Sequence, residues 1–342
     1  MNKAITIEDI ARQAGVSAST VSRVLNGNKR VAEAKRALVL AAIEQHQYRP
    51  SAMARGLVRG RSMTVGVLVQ DIVSPFFAQM VLGVEQGLDS TGYQPMLMTT
   101  HWRTGRQVAE AHTLQLLLER EVDGLIVLAG RIPEEELRAV AARVPIVIVA
   151  RRVAGLEAQC LPFDNQQGAY RATRYLLALG HTRIAHIAGP QEHPDANDRR
   201  AGFLRALAEV GLQPDPDLIV EGKFTAAAGL ACVEQLLTRG EQFSAIFTAN
   251  DQTAYGAMLG LFNHGYHVPT DMSLVAFDDQ HLSAYTLPPL TTVRQPMIAM
   301  GRAAAEGLLR LLDGDEPMLP EFPAELVIRK SALRLRPSRN GR

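Results

Sequence analysis

Phe277-Asp278-Asp279 ends an apolar run with two adjacent carboxylates, the chain's candidate acid–base pair. Adjacent residues in one turn cannot flank a substrate as a glycoside-cleaving pair must, so hydrolysis is not the chemistry they suggest. A lone carboxylate can instead accept hydrogen bonds from two neighbouring hydroxyls. The nine histidines show no metal-ligand spacing; His264 and His267, three apart near a helix end, read as surface residues. Cys160 and Cys232 have no local His or CxxC context and read as buried thiols. There is no phosphate-binding Walker loop, no Gly-x-Gly-x-x-Gly between a strand and a helix, and no His-Glu-x-x-His. The chain is therefore not expected to be an enzyme, and no metal or cofactor is expected. What remains is recognition chemistry. Arg23 stands among small and hydrogen-bonding residues, Ala18, Ser19, Ser22 and Asn26. A guanidinium so placed can bind guanine O6 and N7 bidentately.

The elements that must position these groups begin with a helix-turn-helix. Thr6 can cap a helix with Asp9 at the capping-box position, and Ile7, Ile10, Ala11 and Ala14 form one apolar face. Gly15 supplies the turn, and Ser17 starts a second helix whose buried stripe is Val21, Val24 and Leu25. Its slim, polar opposite face can enter a major groove. A third helix is expected from Glu33 to Gln45, packing Ala34, Leu38, Ala41 and Ala42, with Ala32 as a poor cap. Charge supports this reading. Formal net charge is +1 over 342 residues, yet residues 1–61 carry +7 and the other 281 carry −6. A basic head on an acidic body fits a polyanion-binding module joined to something else.

Ile7-Glu8-Asp9-Ile10-Ala11 through Ala14-Gly15-Val16-Ser17-Ala18-Ser19-Thr20-Val21-Ser22-Arg23-Val24-Leu25-Asn26 resembles the signature of the LacI/GalR family of bacterial repressors. Tyr48-Arg49-Pro50-Ser51-Ala52-Met53-Ala54-Arg55-Gly56-Leu57 resembles that family's hinge helix, and the layout is matched from about Thr6 to Ser331. The resemblance implies DNA contacts by Ser17, Ala18, Ser19, Thr20, Ser22, Arg23 and Asn26, and by Ala54 and Leu57 in the hinge. Ala18, Ser19 and Arg23 match base readers, Thr20 and Ser22 phosphate contacts, and Leu57 the leucine that wedges into the minor groove. On physical grounds a hinge from Ser51 to Arg59, two turns with Gly56 inside, is marginal alone and should order when two copies pair on DNA. One recognition helix and so short a hinge imply a homodimer on a palindromic operator.

After Arg61, apolar runs alternate with helical stretches. Strands are expected at Thr64–Val69, Pro95–Met98, Gly124–Leu128 and Pro145–Val149, then at Ile184–Ala188, Leu218–Glu221, Ala245–Thr248 and Leu274–Phe277. Helices are expected at Phe76–Thr91, Thr104–Arg120, Glu134–Ala142, Gln166–Leu179, Arg199–Val210, Ala226–Thr238 and Gln252–His264. Continuous apolar strands alternating with helices indicate an α/β fold of parallel sheets covered on both faces, here in two lobes. The expected division is a head over 1–60 and a sensor over 61–342. Lobe 1 would take about 62–163 and 292–320, and lobe 2 about 164–290 and 322–335, with Pro296–Leu312 crossing back to lobe 1. By resemblance the lobes look like a periplasmic-binding-protein fold.

Ligands of open α/β sheets bind beyond the carboxyl ends of the strands. Phe76, Phe77 and Phe224 lie there, and flat rings suit the C–H faces of a pyranose. The resemblance adds Arg199, Asn250, Asp278 and Gln295 as effector-binding positions. It departs from the family at Leu128 and Ala150, where polar ligand groups often stand, and at His193, which disfavours a purine. Gln167–Ala188 and Phe243–Met258 are most similar to the galactose and β-glucoside branch. The expected function is a repressor of a carbohydrate-utilisation operon, released by a hexose or hexoside. The alternatives are a purine-type corepressor-dependent repressor and a solute-binding protein that does not bind DNA. No signal-peptide core or apolar span is present, so a cytoplasmic location and no membrane contact are expected. No heptad tail follows Ser331, so a tetramer built on a C-terminal bundle is not expected.

Overall fold

Thr6 opens the first helix, α1 (Ile7–Gln13). Its hydroxyl accepts from the Asp9 amide at 3.3 Å while the Asp9 carboxylate accepts from the Thr6 amide at 3.0 Å, the reciprocal capping box. Gly15 takes φ +63° in the turn, a conformation that costs an L side chain. Ser17 Oγ then accepts from the Thr20 amide at 3.3 Å at the start of α2 (Ala18–Leu25). The third helix, α3, runs Glu33–Gln45, and Ala32 gives it no side-chain cap. The computed structural model describes residues 5–25, 30–48, 61–100, 110–128, 130–240 and 242–335, in two units, Met1–Met63 and Thr64–Arg342. Asn26, Ala54, Leu57 and the expected hinge over 51–59 lie outside the described residues.

The small unit's core is Ile10, Ala11, Ala14, Val21, Val24, Val39 and Ala42. This corrects the expected face of α3. Leu38 is 56% exposed, and Ala34 and Ala41 are exposed too; the buried stripe is Val39 and Ala42 with Ile43 beside them. The α3 sequence is apolar nearly all round, so two stripes satisfy helical spacing and only packing chooses between them.

The large unit holds two sheets. The first contains β1 (Thr64–Val69), β2 (Gln94–Thr99), β3 (Gly124–Leu128), β4 (Ile146–Val149) and β5 (Cys160–Leu161), all parallel, in the order β2-β1-β3-β4-β5. The second contains β6 (Ile184–Ala188), β7 (Ile219–Glu221), β8 (Ala245–Thr248), β9 (Ser273–Asp278), β10 (Thr291–Arg294) and β11 (Glu325–Val327). Its order is β11-β10-β9-β8-β6-β7, parallel except for β11 against β10. Strands β3, β4, β6, β8 and β9 are buried at every position, as strands covered on both faces must be.

The helices between the strands are α4 (Pro75–Leu88), α5 (Glu110–Glu119), α6 (Glu134–Ala141), α7 (Asn165–Ala178), α8 (Pro194–Ala208), α9 (Ala226–Thr238), α10 (Asp251–Asn263) and α11 (Met297–Leu312). The expected start of α5 at Thr104 lies outside the described residues. Helix α11 packs on α4, backbone to backbone: a Cβ on Gly301 would stand 2.0 Å from the Met80 carbonyl oxygen, and one on Gly83 2.1 Å from that of Ile298. The crossing of α11 back to the first lobe thus depends on those glycines.

Two expectations need correction. Thr292–Arg294, placed in lobe 1 from the sequence, is the body of β10 and pairs with β9 and β11 in the second sheet; the chain leaves that sheet only after Arg294. Helix α8 starts at Pro194, not at Arg199, because proline suits the first helical turn, where its missing N–H is no loss. Arg199 therefore stands in the second turn, one turn beyond Asp195.

Candidate functional site

On α2, Val21 and Val24 are buried, whereas Ser17, Ser19 and Arg23 are exposed and Thr20 and Ser22 half-buried. Ser17 Oγ lies 2.8 Å from Ser19 Oγ and 3.0 Å from Thr20 Oγ1, so the hydroxyls at the helix start form one cluster. Arg23 is the only charged side chain on this helix. Ala18 departs from expectation in part: it is half-buried and packs against the core.

The second candidate is a cleft in the large unit, partly open to solvent. It is lined by Gln70, Ser74, Phe76 and Phe77 from β1 and α4, and by His193, Asp195, Arg199, Phe224, Asn250 and Asp278 from the second lobe. Each follows or closes the carboxyl end of a strand: β1, β6, β7, β8 or β9. Six of the seven residues expected at an effector site thus meet in one cavity.

Arg199 and Asp278 anchor it, at 3% and 2% exposure. Arg199 Nη1 lies 3.6 Å from Asp278 Oδ1, its Nε donates to Asn165 Oδ1 at 2.9 Å, and Nη1 also donates to the Ala249 carbonyl. Its guanidinium carbon stands 4.0 Å from the centroid of the Phe277 ring and 5.9 Å from that of Phe224. So held, the guanidinium is pre-organised. Gln280 Nε2 donates to Asp278 Oδ2 at 3.3 Å. Burial pushes the Asp278 carboxyl up to about 7; Arg199 opposes that, as do the Gln280 and Gln295 amides, and Asp195 adds to it.

Asn250 caps α10: its Oδ1 accepts from the Thr253 amide at 2.9 Å and from Thr253 Oγ1 at 2.7 Å, and Nδ2 donates to the Phe224 carbonyl at 3.2 Å. An amide has two N–H donors, so one stays available. Phe224 has φ +55° and meets His193 edge-on at 5.3 Å; Phe76 and Phe77 meet edge-on at 5.1 Å.

Comparison with known proteins agrees with both units. Residues 6–51 match the model of bacterial regulatory proteins of the lacI family, and residues 173–332 that of the periplasmic binding protein-like domain. The HTH-type transcriptional regulator GalR of Escherichia coli (strain K12) is 39% identical over 331 residues, 95% of each chain. The chain belongs to the LacI family. The lac repressor dimer, solved bound to operator and the anti-inducer ONPF, superposes with a TM-score of 0.84 at 30% identity, covering 97% of this chain and 100% of that one. The transcriptional regulator CelR–cellobiose complex gives 0.70 at 34%, covering 96% and 99%. This LacI-family protein is a DNA-binding transcriptional repressor with a ligand-binding sensor domain, and its relatives are regulators, not enzymes.

Gln295 does not line the cleft of this LacI-family sensor. It lies behind it, its Nε2 donating to Asp278 Oδ1 at 3.2 Å, and borders a separate open groove with Arg294, Met297 and Phe322. Leu128 and Ala150 are buried and do not line the cleft either. Four lining residues were missed: Gln70, Ser74, Asp195 and, as a lining group, His193. Gln70 follows the last residue of β1, so the strand-end rule could have found it. Asp195 shares a helix face with Arg199, four residues on, but only once α8 is known to start at Pro194. Cys160 and Cys232 are buried free thiols whose titration burial raises. Among the described residues no His, Cys, Asp and Glu group could hold a metal, and no helix is long and apolar enough to cross a membrane.

Proposed function

We propose that this LacI-family repressor binds a palindromic operator as a homodimer and releases it when a hexose or hexoside occupies the cleft, so governing genes of carbohydrate use. The observation that carries the sugar reading is the buried Asp278 carboxylate, with Arg199 beside it and the Phe76 and Phe224 rings in the same cavity. Vicinal hydroxyls donate to a carboxylate, and pyranose C–H faces suit the rings. Two carboxylates and one arginine line the site, which favours a hydroxyl-bearing ligand over an anionic one. The cellobiose complex of a relative supports the class without fixing the sugar.

Ser17, Ala18, Ser19, Thr20, Ser22 and Arg23 of α2 would contact the operator, joined by Asn26, Ala54 and Leu57. A repressor acts where the operator lies, in the cytoplasm. Dimerisation draws support from apolar side chains left in water on α10 and in the connection between β9 and β10: Leu259, Phe262, Leu282, Tyr285 and Leu287, the last 92% exposed. A second copy would cover such a patch. A sugar held by Asp278 and Asn250 from one lobe and Phe76 from the other would favour one lobe arrangement. It can shift the DNA-binding state only by its differential affinity for the two states. A thermal-shift screen of monosaccharides, disaccharides and nucleobases tests the ligand class: sugars should raise the melting temperature, and a response to nucleobases alone would overturn the reading.

A further inference from the structure

Behind the cleft lies a further buried carboxylate, one that touches no ligand space. Asp251, the first residue of α10, has no exposed surface and does not line the cavity. Three donors from three segments converge on it. The Gln280 amide donates to Oδ2 at 2.7 Å from the turn after β9. Ser283 Oγ donates to the same oxygen at 2.5 Å from the short 3-10 helix His281–Ala284, and Thr292 Oγ1 donates to Oδ1 at 2.6 Å from β10. Ser283 has a single proton and gives it to Asp251, so the Tyr255 hydroxyl, 2.8 Å away, donates to Ser283.

The turn held in this way is unusual. Asp278 has φ +114° and Asp279 φ +55°, two successive non-glycine residues in the left-handed half of the map. Such a backbone persists only where its surroundings over-determine it, and it gathers at functional sites. The surroundings here are identifiable. Asp279 is paired with Arg294 at 2.8 Å and Arg329 at 2.6 Å, the Gln295 amide donates to the Asp278 carbonyl at 3.1 Å, and Asp251 pins the next residue, Gln280. Gln280 is then oriented twice over. Its Oε1 accepts from Gln252 Nε2 at 2.8 Å, which leaves its Nε2 to donate to Asp278 Oδ2. We propose that Asp251 is the positioning residue of the sensor: it staples the strained turn after β9 and so keeps the Asp278 carboxylate aimed into the cleft. This rests on the reading of Asp278 as the effector carboxylate.

The charged and titratable groups around the pair are Asp195 and Arg199 on α8, Tyr255 on α10, and Asp279 with its two arginines. Burial, and then the Asp278 charge, raise Asp251 well above the ordinary carboxylate range, while its three donors oppose the shift. A released turn would let water reach Asp278 and return it toward its ordinary value.

The test uses the full-length protein and the variants Asp251→Asn, Ser283→Ala and Thr292→Val. In the ligand-free protein, carboxyl-carbon NMR follows Asp278, assigned by its loss in Asp278→Asn. Calorimetry with D-galactose and with cellobiose then measures effector affinity, and operator binding is measured alongside. All three variants should move the Asp278 midpoint down from about 7, weaken whichever sugar binds by about tenfold or more in Asp251→Asn and less in the others, and bind operator as wild type does. A purely electrostatic role for Asp251 predicts otherwise: Ser283→Ala and Thr292→Val would not lower the midpoint. That result, or unchanged sugar affinity in all three, would overturn the proposal. If Asp251→Asn does not fold, the two donor variants decide. If neither sugar binds wild type, the effector reading loses its support from these probes, while the Asp278 midpoint still judges Asp251.

Discussion

At the scale of residues, the proposed sugar site rests on one carboxylate whose charge is costly. Asp278 is buried, 3.6 Å from Arg199, and titrates near 7 instead of 3.8. Folded Asp278 holds its proton more tightly than the unfolded chain. Its contribution to stability is therefore complete below 3.8 and is lost as pH rises through about 7. Binding runs the other way, because hydroxyl donors need the carboxylate. Sugar affinity measured by calorimetry should rise with pH through about 7 and then level off, while Asp278→Asn binds weakly and without that dependence. A flat profile in the wild type would separate Asp278 from the sugar. In the head, Arg23 stands exposed as the only charge on α2. Arg23→Ala should cost roughly 1–3 kcal/mol at one operator base pair and relax the preference there, as read by binding to a set of single-base operator variants.

At the scale of elements, legibility followed burial. Strands β6, β8 and β9, which carry much of the cleft, were legible because they are largely apolar runs buried at every position, and Thr6 and Asp9 announced α1 through side chains that bond as their types allow. Strands β5, β10 and β11 were not. They are two to four residues long, β10 begins Thr291-Thr292, and they exist because a neighbour pairs with them. The α3 stripe was illegible for the opposite reason, an excess of apolar residues. The cleft's rings, Arg199 and Asp278 were found from strand ends and family motifs, but Asp195 depended on a helix start that a proline moved. The missing cap on α3 gives a direct check. Ala32→Ser should stabilise the small unit by about 1 kcal/mol, seen as a higher melting temperature by circular dichroism, since a serine there can accept from the orphan amides of the first turn.

At the scale of the molecule, a head of +7 stands before a body of −6. Doubled in a dimer, that head should release many counterions on DNA, so log affinity should fall steeply and linearly with log salt; a nearly flat plot would contradict the electrostatic reading. The same chain carries a DNA reader and a ligand cleft, and under the proposed function linkage requires reciprocal coupling: a sugar that weakens operator binding by some factor would have its own binding weakened by operator by the same factor. The central claim is that Asp278 turns sugar into release. The most direct test titrates preformed protein–operator complexes with the sugar found by thermal shift. Wild type should release its operator, while Asp278→Ala binds operator equally well and stays bound at sugar concentrations that empty the wild type. Release of the variant at the wild-type midpoint, or tightening of the wild-type complex by the sugar, would contradict it.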